Sequence, residues 1–415
     1  MYVRTLRLRD FRSWQEVRVD LDPEPTIFVG RNGFGKTNLV ESLNYLSTLR
    51  SHRVSNDAAL VRTGCETATA SATVINAGRE LTVELQITPG RSNRASVNGA
   101  PSRRPRDIVG ILRTVMFAPE DLALVRGDPA DRRRFVDELA ALAGPRMVAA
   151  RADYDRVLRQ RSALLKTAAS AMRSGGDSAA SVISTLDVWD TQLAQFGAQV
   201  TAGRIDVLNN LRPFVQQEYS TLAPASRPID LRYRAVVGDE VLPAADAPAD
   251  EEYIEAVLLH SLAAARGKEI DRGVCLIGPH RDDIDITLAG QIAKGFASHG
   301  ESWSLALAMR LGSVELIRSD GAEPVVLLDD VFAELDAARR AALSTFAQSV
   351  EQVIITAAVA DDIPPAIGGR RVAVAVRDDG DGGRLSHLVD DAAPSADAVD
   401  DGPGLEPHDD EGEAP

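Results

Sequence analysis

A chain of 415 residues, 44% hydrophobic and 26% charged, has room for two or three domains and a large core. No stretch approaches the roughly 18 apolar residues of a membrane span, the opening Met1-Tyr2-Val3-Arg4 reads as a strand and not a signal segment, and two isolated cysteines, Cys65 and Cys275, argue against a disulfide framework or a cysteine zinc site. The net charge of −15 is uneven: Asp378–Pro415 holds 13 acids and one arginine, a charge of −12 that leaves −3 for the rest, so a near-neutral body can still present a local basic face to nucleic acid.

In chain order, residues 2–8 and 17–21 predict two strands around the turn Asp10-Phe11-Arg12-Ser13-Trp14. The apolar run Thr26-Ile27-Phe28-Val29 predicts a buried strand, and Leu39, Val40, Leu43 and Leu46 mark one face of a helix reaching about Leu49. Between them stands Gly30-Arg31-Asn32-Gly33-Phe34-Gly35-Lys36-Thr37-Asn38, which fits G-x-x-x-x-G-K-[ST] in its strand–loop–helix setting. The glycines let backbone N–H groups wrap around phosphate oxygens with no Cβ in the way. The following helix start adds its dipole, Lys36 is placed for the β- and γ-phosphates, and Thr37 offers a hydroxyl to Mg²⁺. Lys36 is also the only lysine in the first 165 residues of an arginine-biased chain. ATP with Mg²⁺ is the implied cofactor.

Further on, Thr67–Asn76 and Glu80–Thr88 predict a hairpin, Arg94–Asn98 a strand ending at Asn98-Gly99, and Thr114–Phe117 another short strand. Arg91, Arg94, Arg103, Arg104 and Arg106 fit either DNA phosphate contacts or an arginine-rich surface loop. From Ala130 to about Tyr219 the period is helical, broken at Gly144-Pro145 and again at Ser174-Gly175-Gly176-Asp177. The piece between the breaks spans roughly 42 Å of helix at ~1.5 Å per residue. Ile229–Tyr233 reads as a strand and Glu251–Arg266 as a helix. Strands follow at Val274–Ile277, Ile284–Leu288, Pro324–Leu328, Gln352–Thr356 and Arg371–Val376, with helices from Glu301 and Asp336. The division expected is residues 1–125 and 271–390 as two parts of one head, 126–270 as an inserted helical arm, and 391–415 as a disordered acidic tail.

A phosphate loop needs a carboxylate to hold its metal. Val325-Val326-Leu327-Leu328-Asp329-Asp330, a buried strand ending in two acids, supplies it: Asp329 for Mg²⁺ and Asp330 to orient the attacking water. Nearly 300 residues separate Lys36 from Asp329, far more than in a compact kinase or GTPase. Ser298-His299-Gly300-Glu301 precedes an amphipathic helix, where Ser298 and the free N–H groups suit either a helix cap or a second phosphate surface. Arg132–Arg134 open a helix and can pair with acids inside the head or contact DNA. His280 with Asp282 and Asp283 reads as a polar loop in preference to a metal site, and Trp14, Trp189 and Trp303 as core.

This order of motifs resembles the ATPase heads of the ABC superfamily, in which the signature of one protomer closes over ATP held by another. Over residues 1–390 the chain resembles more closely the RecF family of recombination mediators, relatives of the SMC and Rad50 heads. The resemblance rests on Leu8–Arg12, Gly30–Asn38 with Glu41, Phe117–Leu122, Arg132–Asp137, Gly278–Asp283, Ser298–Glu301 and Leu327–Asp336. It implies an α/β, ABC/SMC/Rad50-like P-loop ATPase head with an inserted, mainly helical arm. It further implies an ATP-dependent homodimer that binds single-stranded, gapped or junction DNA, hydrolyses ATP slowly, and helps load recombinase with RecO- and RecR-type partners in the cytoplasm. By the same resemblance Arg12 lies near the nucleotide, Glu120 on a γ-phosphate-sensing loop, Asp336 at the dimer seam, and Thr356 at the switch position. Asp330 replaces the transporter glutamate, and Glu301 a second glycine. The alternative is an ATPase subunit of a DNA-processing nuclease complex, although no nuclease metal cluster is visible.

Overall fold

The structure is a computed structural model; it describes all residues except 55, 175, 244–246, 379–382 and 390–415. The expected acidic tail, 391–415, lies outside the described residues. Strands β1 (Tyr2–Phe11) and β2 (Trp14–Asp20) form a hairpin, and β3 (Thr26–Val29) leads through the phosphate loop into α1 (Lys36–Thr48). Next come β4 (Ala68–Asn76), β5 (Arg79–Ile87), β6 (Arg94–Val97), β7 (Ala100–Pro101) and β8 (Thr114–Phe117). Helices α2 (Leu122–Arg126), α3 (Pro129–Ala143), α4 (Pro145–Ser174) and α5 (Gly176–Leu222) follow. The chain continues through β9 (Ile229–Arg234), α6 (Glu251–Arg272), β10 (Asp283–Leu288), β11 (Gln291–Ile292) and α7 (His299–Ser319). It closes with β12 (Val325–Asp329), α8 (Ala337–Ala347), β13 (Val353–Ala357), β14 (Arg370–Asp378) and β15 (Arg384–Val389). No helix among the described residues is long and apolar enough to cross a membrane.

These strands make three sheets. The first is antiparallel, in the order β2-β1-β4-β5-β6-β7. Its β4–β5 turn is Ala77-Gly78, both at positive φ (47° and 75°), the two-residue geometry whose twist matches the flanking strands. The second, β15-β14-β3-β13-β12-β8, is parallel except for β15 and carries the phosphate loop near its middle. Strands β3, β13, β12 and β8 read as continuous apolar runs because both faces are covered there. Phe28, Leu327 and Ile354 meet Leu39, Val40 and Leu43 of α1 and the first sheet. Ile27, Leu328 and Ile355 point the other way, into Trp303, Leu307 and Leu311 of α7 and Leu343 of α8.

The third sheet, β11-β10-β9, joins the helical block to the rest: β9, from within that block, pairs antiparallel with β10 over Ile229–Arg234 and Asp283–Leu288. Helices α4 and α5 pack along each other, and α5 continues past Pro213 to lie against α7. There Gly312 permits a near approach of the two backbones, since a Cβ on it would stand 3.0 Å from the Val215 nitrogen.

One expected strand is absent. Val274–Ile277 is irregular because side chains take its backbone groups: Glu269 accepts from Leu276 N (2.6 Å) and Ile277 N (3.4 Å), while Arg281 and His280 contact the Cys275 carbonyl. A strand at β15, not expected from sequence, pairs with β14.

Candidate functional site

The phosphate loop is held from three sides. Gly30 N donates to Ala357 O at 3.2 Å, and a Cβ on Gly30 would stand 2.3 Å from Val374 O. Gly35 sits at φ 94°, and a Cβ there would come within 2.3 Å of Ser386 Oγ and 2.6 Å of Ser13 Oγ, so both conformation and space require glycine. Trp14 Nε1 donates to Gly35 O (3.0 Å), Asn38 Nδ2 to Ser13 Oγ (2.8 Å), and Ser386 Oγ to Ser13 Oγ (2.6 Å). The β1–β2 turn and β15 therefore brace the loop from beneath, while Arg31, Asn32 and Gly33 stay exposed at its crest and Phe34 is half-buried. Lys36 curls inward, its ammonium donating to Gly30 O (2.6 Å) and Arg31 O (3.3 Å).

Thr37 and Asp329, 292 residues apart, meet: Thr37 Oγ1 donates to Asp329 Oδ1 at 2.9 Å. Thr356 Oγ1 donates to the same oxygen at 2.6 Å and accepts from Asp330 N at 3.0 Å. One hydroxyl thus fixes the buried carboxylate and the backbone of its neighbour, which stands at φ 48°. Burial pushes the Asp329 carboxyl up to about 6; the two hydroxyls oppose this, and the charges of Asp330 and Glu120 add to it. A buried carboxylate oxygen beside a hydroxyl is a hard-oxygen donor set of the kind Mg²⁺ prefers, and a cation there would offset the burial cost. Thr37 and Asp329 therefore fit the metal expected of them.

Arg12 stands at the β1–β2 turn, next to Ser13. Its guanidinium is engaged by the protein, with Nε and Nη2 on the Glu41 carboxylate (2.9 and 2.7 Å) and Nη1 on Ala59 O (2.9 Å). Ser51 Oγ adds a bond to Glu41 at 2.5 Å. Arg12 thereby ties the bracing turn to α1.

Ser298, Gly300, Glu301 and Asp336 form a second cluster, and no hydrogen bond or ion pair among the described residues joins it to Lys36. Ser298 caps α7, accepting from Glu301 N (3.2 Å) while Glu301 accepts from Ser298 N (2.9 Å), a reciprocal box. Arg227, at 2.8 Å, together with the two Ser298 bonds, holds the Glu301 carboxyl down at about 2. Asp336 caps α8 by accepting from Arg339 N (2.9 Å) and also pairs with the Arg339 guanidinium. That guanidinium reaches Ser304 Oγ (2.9 Å), and a Cβ on Gly300 would be 3.1 Å from it. Arg339 thus welds the start of α7 to the start of α8.

Sequence reasoning missed Ser13, Ser386 and Arg339. Ser13 and Ser386 act through contacts between distant segments, and Arg339, besides pairing with Asp336 three residues before it, reaches Ser304 on a different helix. The His280–Asp283 loop is a structural keystone: Tyr154 Oη meets His280 Nδ1 (2.6 Å), Tyr233 Oη donates to Asp282 (2.6 Å), and Arg132 clasps Asp283 (2.8 and 3.0 Å). Among the described residues no group of three or more His, Cys, Asp or Glu is placed to hold a metal.

The RecF/RecN/SMC N-terminal domain matches residues 2–371. A DNA replication and repair protein RecF of Rhodococcus erythropolis is 54% identical over 397 residues, covering 94% of this chain and 97% of that protein. A solved structure of the recombination mediator protein RecF with ATP, from the RecFOR pathway, superposes with a TM-score of 0.79 at 24% identity, over 90% of this chain and 95% of the other. An Smc head domain from Pyrococcus furiosus, bound to the C-terminal domain of ScpA, gives 0.51 at 16% identity, over 94% and 96%. The α/β head of the SMC type expected from the motifs is the fold observed.

Proposed function

The chain belongs to the RecF/RecN/SMC N-terminal domain family, and within it to the RecF group; from that premise we propose that it is an ATP-switched DNA clamp of recombinational repair. Gly30–Asn38 wraps the phosphates, with Lys36 as their counter-charge. Thr37 and Asp329 hold Mg²⁺, which when bound supplies charge neutralisation to the β- and γ-phosphate oxygens. Asp330 orients the attacking water and accepts its proton, and its shorter reach than a glutamate suits slow turnover. Ser298 and the N–H groups near Gly300 come from a second copy, with Asp336 at the seam. The assembled pair holds single-stranded, gapped or junction DNA and works with RecO- and RecR-type partners.

The observation that carries this reading is the contact of Thr37 with Asp329 across 292 residues, while the exposed Ser298 cap lies in a cluster of its own. That separation within one copy supports a site completed by a second copy. The test is mass in solution by light scattering, without nucleotide, with ADP and with a slowly hydrolysed ATP analogue. A dimer is expected with the analogue alone, and it should vanish in Ser298→Arg although that variant still binds nucleotide. Normal dimers of Ser298→Arg would remove the shared site.

A further inference from the structure

A groove of about 340 Å³ lies where the end of α1, the turn Pro105–Ile108, α3 and the foot of α4 meet. It runs on past Leu49 and Arg106 into an open cleft beside Arg104 and Arg156. Seven arginines line the two; Arg151 and Arg156 are paired with acids, and the other five are Arg50, Arg104, Arg106, Arg134 and Arg159. Among the described residues none of these five guanidiniums has a hydrogen-bond or ion-pair partner. The acids alongside are nearly all committed. Asp137 holds Arg204 (2.7 Å) and Arg151 (3.3 Å), Asp155 holds Arg151 (3.2 Å), and Asp153 holds Arg156 (3.2 Å). Glu138 makes no hydrogen bond or ion pair among the described residues; burial raises its carboxyl, opposed by the charges of Arg310, Arg134 and Arg50.

We infer that this groove at the foot of the arm seats the phosphate backbone of DNA. The inference rests on the DNA-binding reading above and gives it a location. Unpartnered guanidiniums carried on four separate elements suit a succession of phosphates better than a single anion, because each phosphate needs its own donor fork. The apolar floor, with Leu142, Met147 and Val148, lowers the local dielectric and strengthens each contact. Arg104 and Arg106 are thereby separated from the other hairpin arginines, whose sequence left both readings open.

The test is the double variant Arg104→Glu/Arg106→Glu, with binding of a fluorescein-labelled duplex bearing a single-stranded extension followed by anisotropy in the presence of the ATP analogue. Each phosphate contact contributes about 0.9 to the slope of log affinity against log salt, so losing two lowers the slope by about 1.8 and the affinity at ~0.1 M salt by about 60-fold. Lys268→Glu/Arg272→Glu, the same charge change on α6, should cost less than about 3-fold by long-range charge alone. Both variants should dimerise with the analogue as the wild type does. The alanine pair at 104 and 106, which removes side chains that hold nothing in the fold, should show the same fall in slope. Wild-type affinity and slope in the groove variants, or an equal loss in the α6 variant, overturns the groove while leaving the clamp in place. A wild type that binds no DNA at all overturns both.

Discussion

Replacing Asp329 by asparagine should make the nucleotide-free protein more stable at neutral pH while abolishing its use of Mg·ATP. The carboxyl is buried, and burial lifts it from the ordinary 3.8 to about 6 even though Thr37 and Thr356 both donate to it. A gap of about 2 units corresponds to about 3 kcal/mol at ~1.4 kcal/mol per unit. Because the folded value lies above the unfolded one, the protonated form is favoured on folding, and that advantage is lost as pH rises through about 6. The wild type therefore carries almost none of the cost below about pH 4 and all of it by about pH 7. Asparagine keeps an oxygen for the same two hydroxyls and has no charge to desolvate. Urea unfolding of both proteins without nucleotide, near pH 4 and near pH 8, should show a gap in favour of Asp329→Asn that grows from near zero to about 3 kcal/mol. A variant of equal or lower stability near pH 8, or a gap that does not change with pH, would refute the reasoning.

Gly35→Ala should eliminate nucleotide binding, because its Cβ would press on Ser386 and Ser13 at a φ of 94°; equilibrium dialysis with labelled ATP reads it out. Arg161→Met should cost about 3–5 kcal/mol in urea unfolding, since Glu269 and Asp190, both buried, lose their bonds of 2.6 Å each. His280 is held at about 4, chiefly by burial, below its ordinary 6.5. Its contribution is present above about pH 6.5 and is lost as pH falls toward 4, about 3 kcal/mol in all. Its imidazole resonances should not titrate above about pH 5.

The parts of the site that sequence revealed are those whose chemistry is local. Gly30–Thr37 and Leu327–Asp330 each carry their meaning in consecutive residues, and the apolar runs flanking them survive in any sheet covered on both faces. The pairing of Thr37 with Asp329 was inferable because a phosphate loop without a carboxylate is chemically incomplete. Ser13 and Ser386, 373 residues apart, were not legible: an ordinary serine in a turn and another in a short strand acquire a role only once β15 is laid beside β14. The failed strand at Val274–Ile277 shows the converse, an apolar run whose backbone partners are side chains, above all Glu269, arriving from a neighbouring helix.

The contact of Gly312 with Val215 couples α5 to α7. From Val215 back to Gly176, α5 extends about 58 Å at ~1.5 Å per residue. Its root is seated directly on α7, whose first turn presents Ser298. Val215 meets Gly312 with both its Cγ2 and its backbone nitrogen, so a shift of α5 at this point must move α7 as well. α5 is held in the shared core from Leu193 to Tyr219, so the outer stretch is Gly176–Gln192, about 25 Å, and a tilt of about 5° moves its end by about 2 Å. On the proposed ATP-driven dimer, closure at the start of α7 would reach α5 through this contact, so a partner bound to α5 would be coupled to the state of the nucleotide.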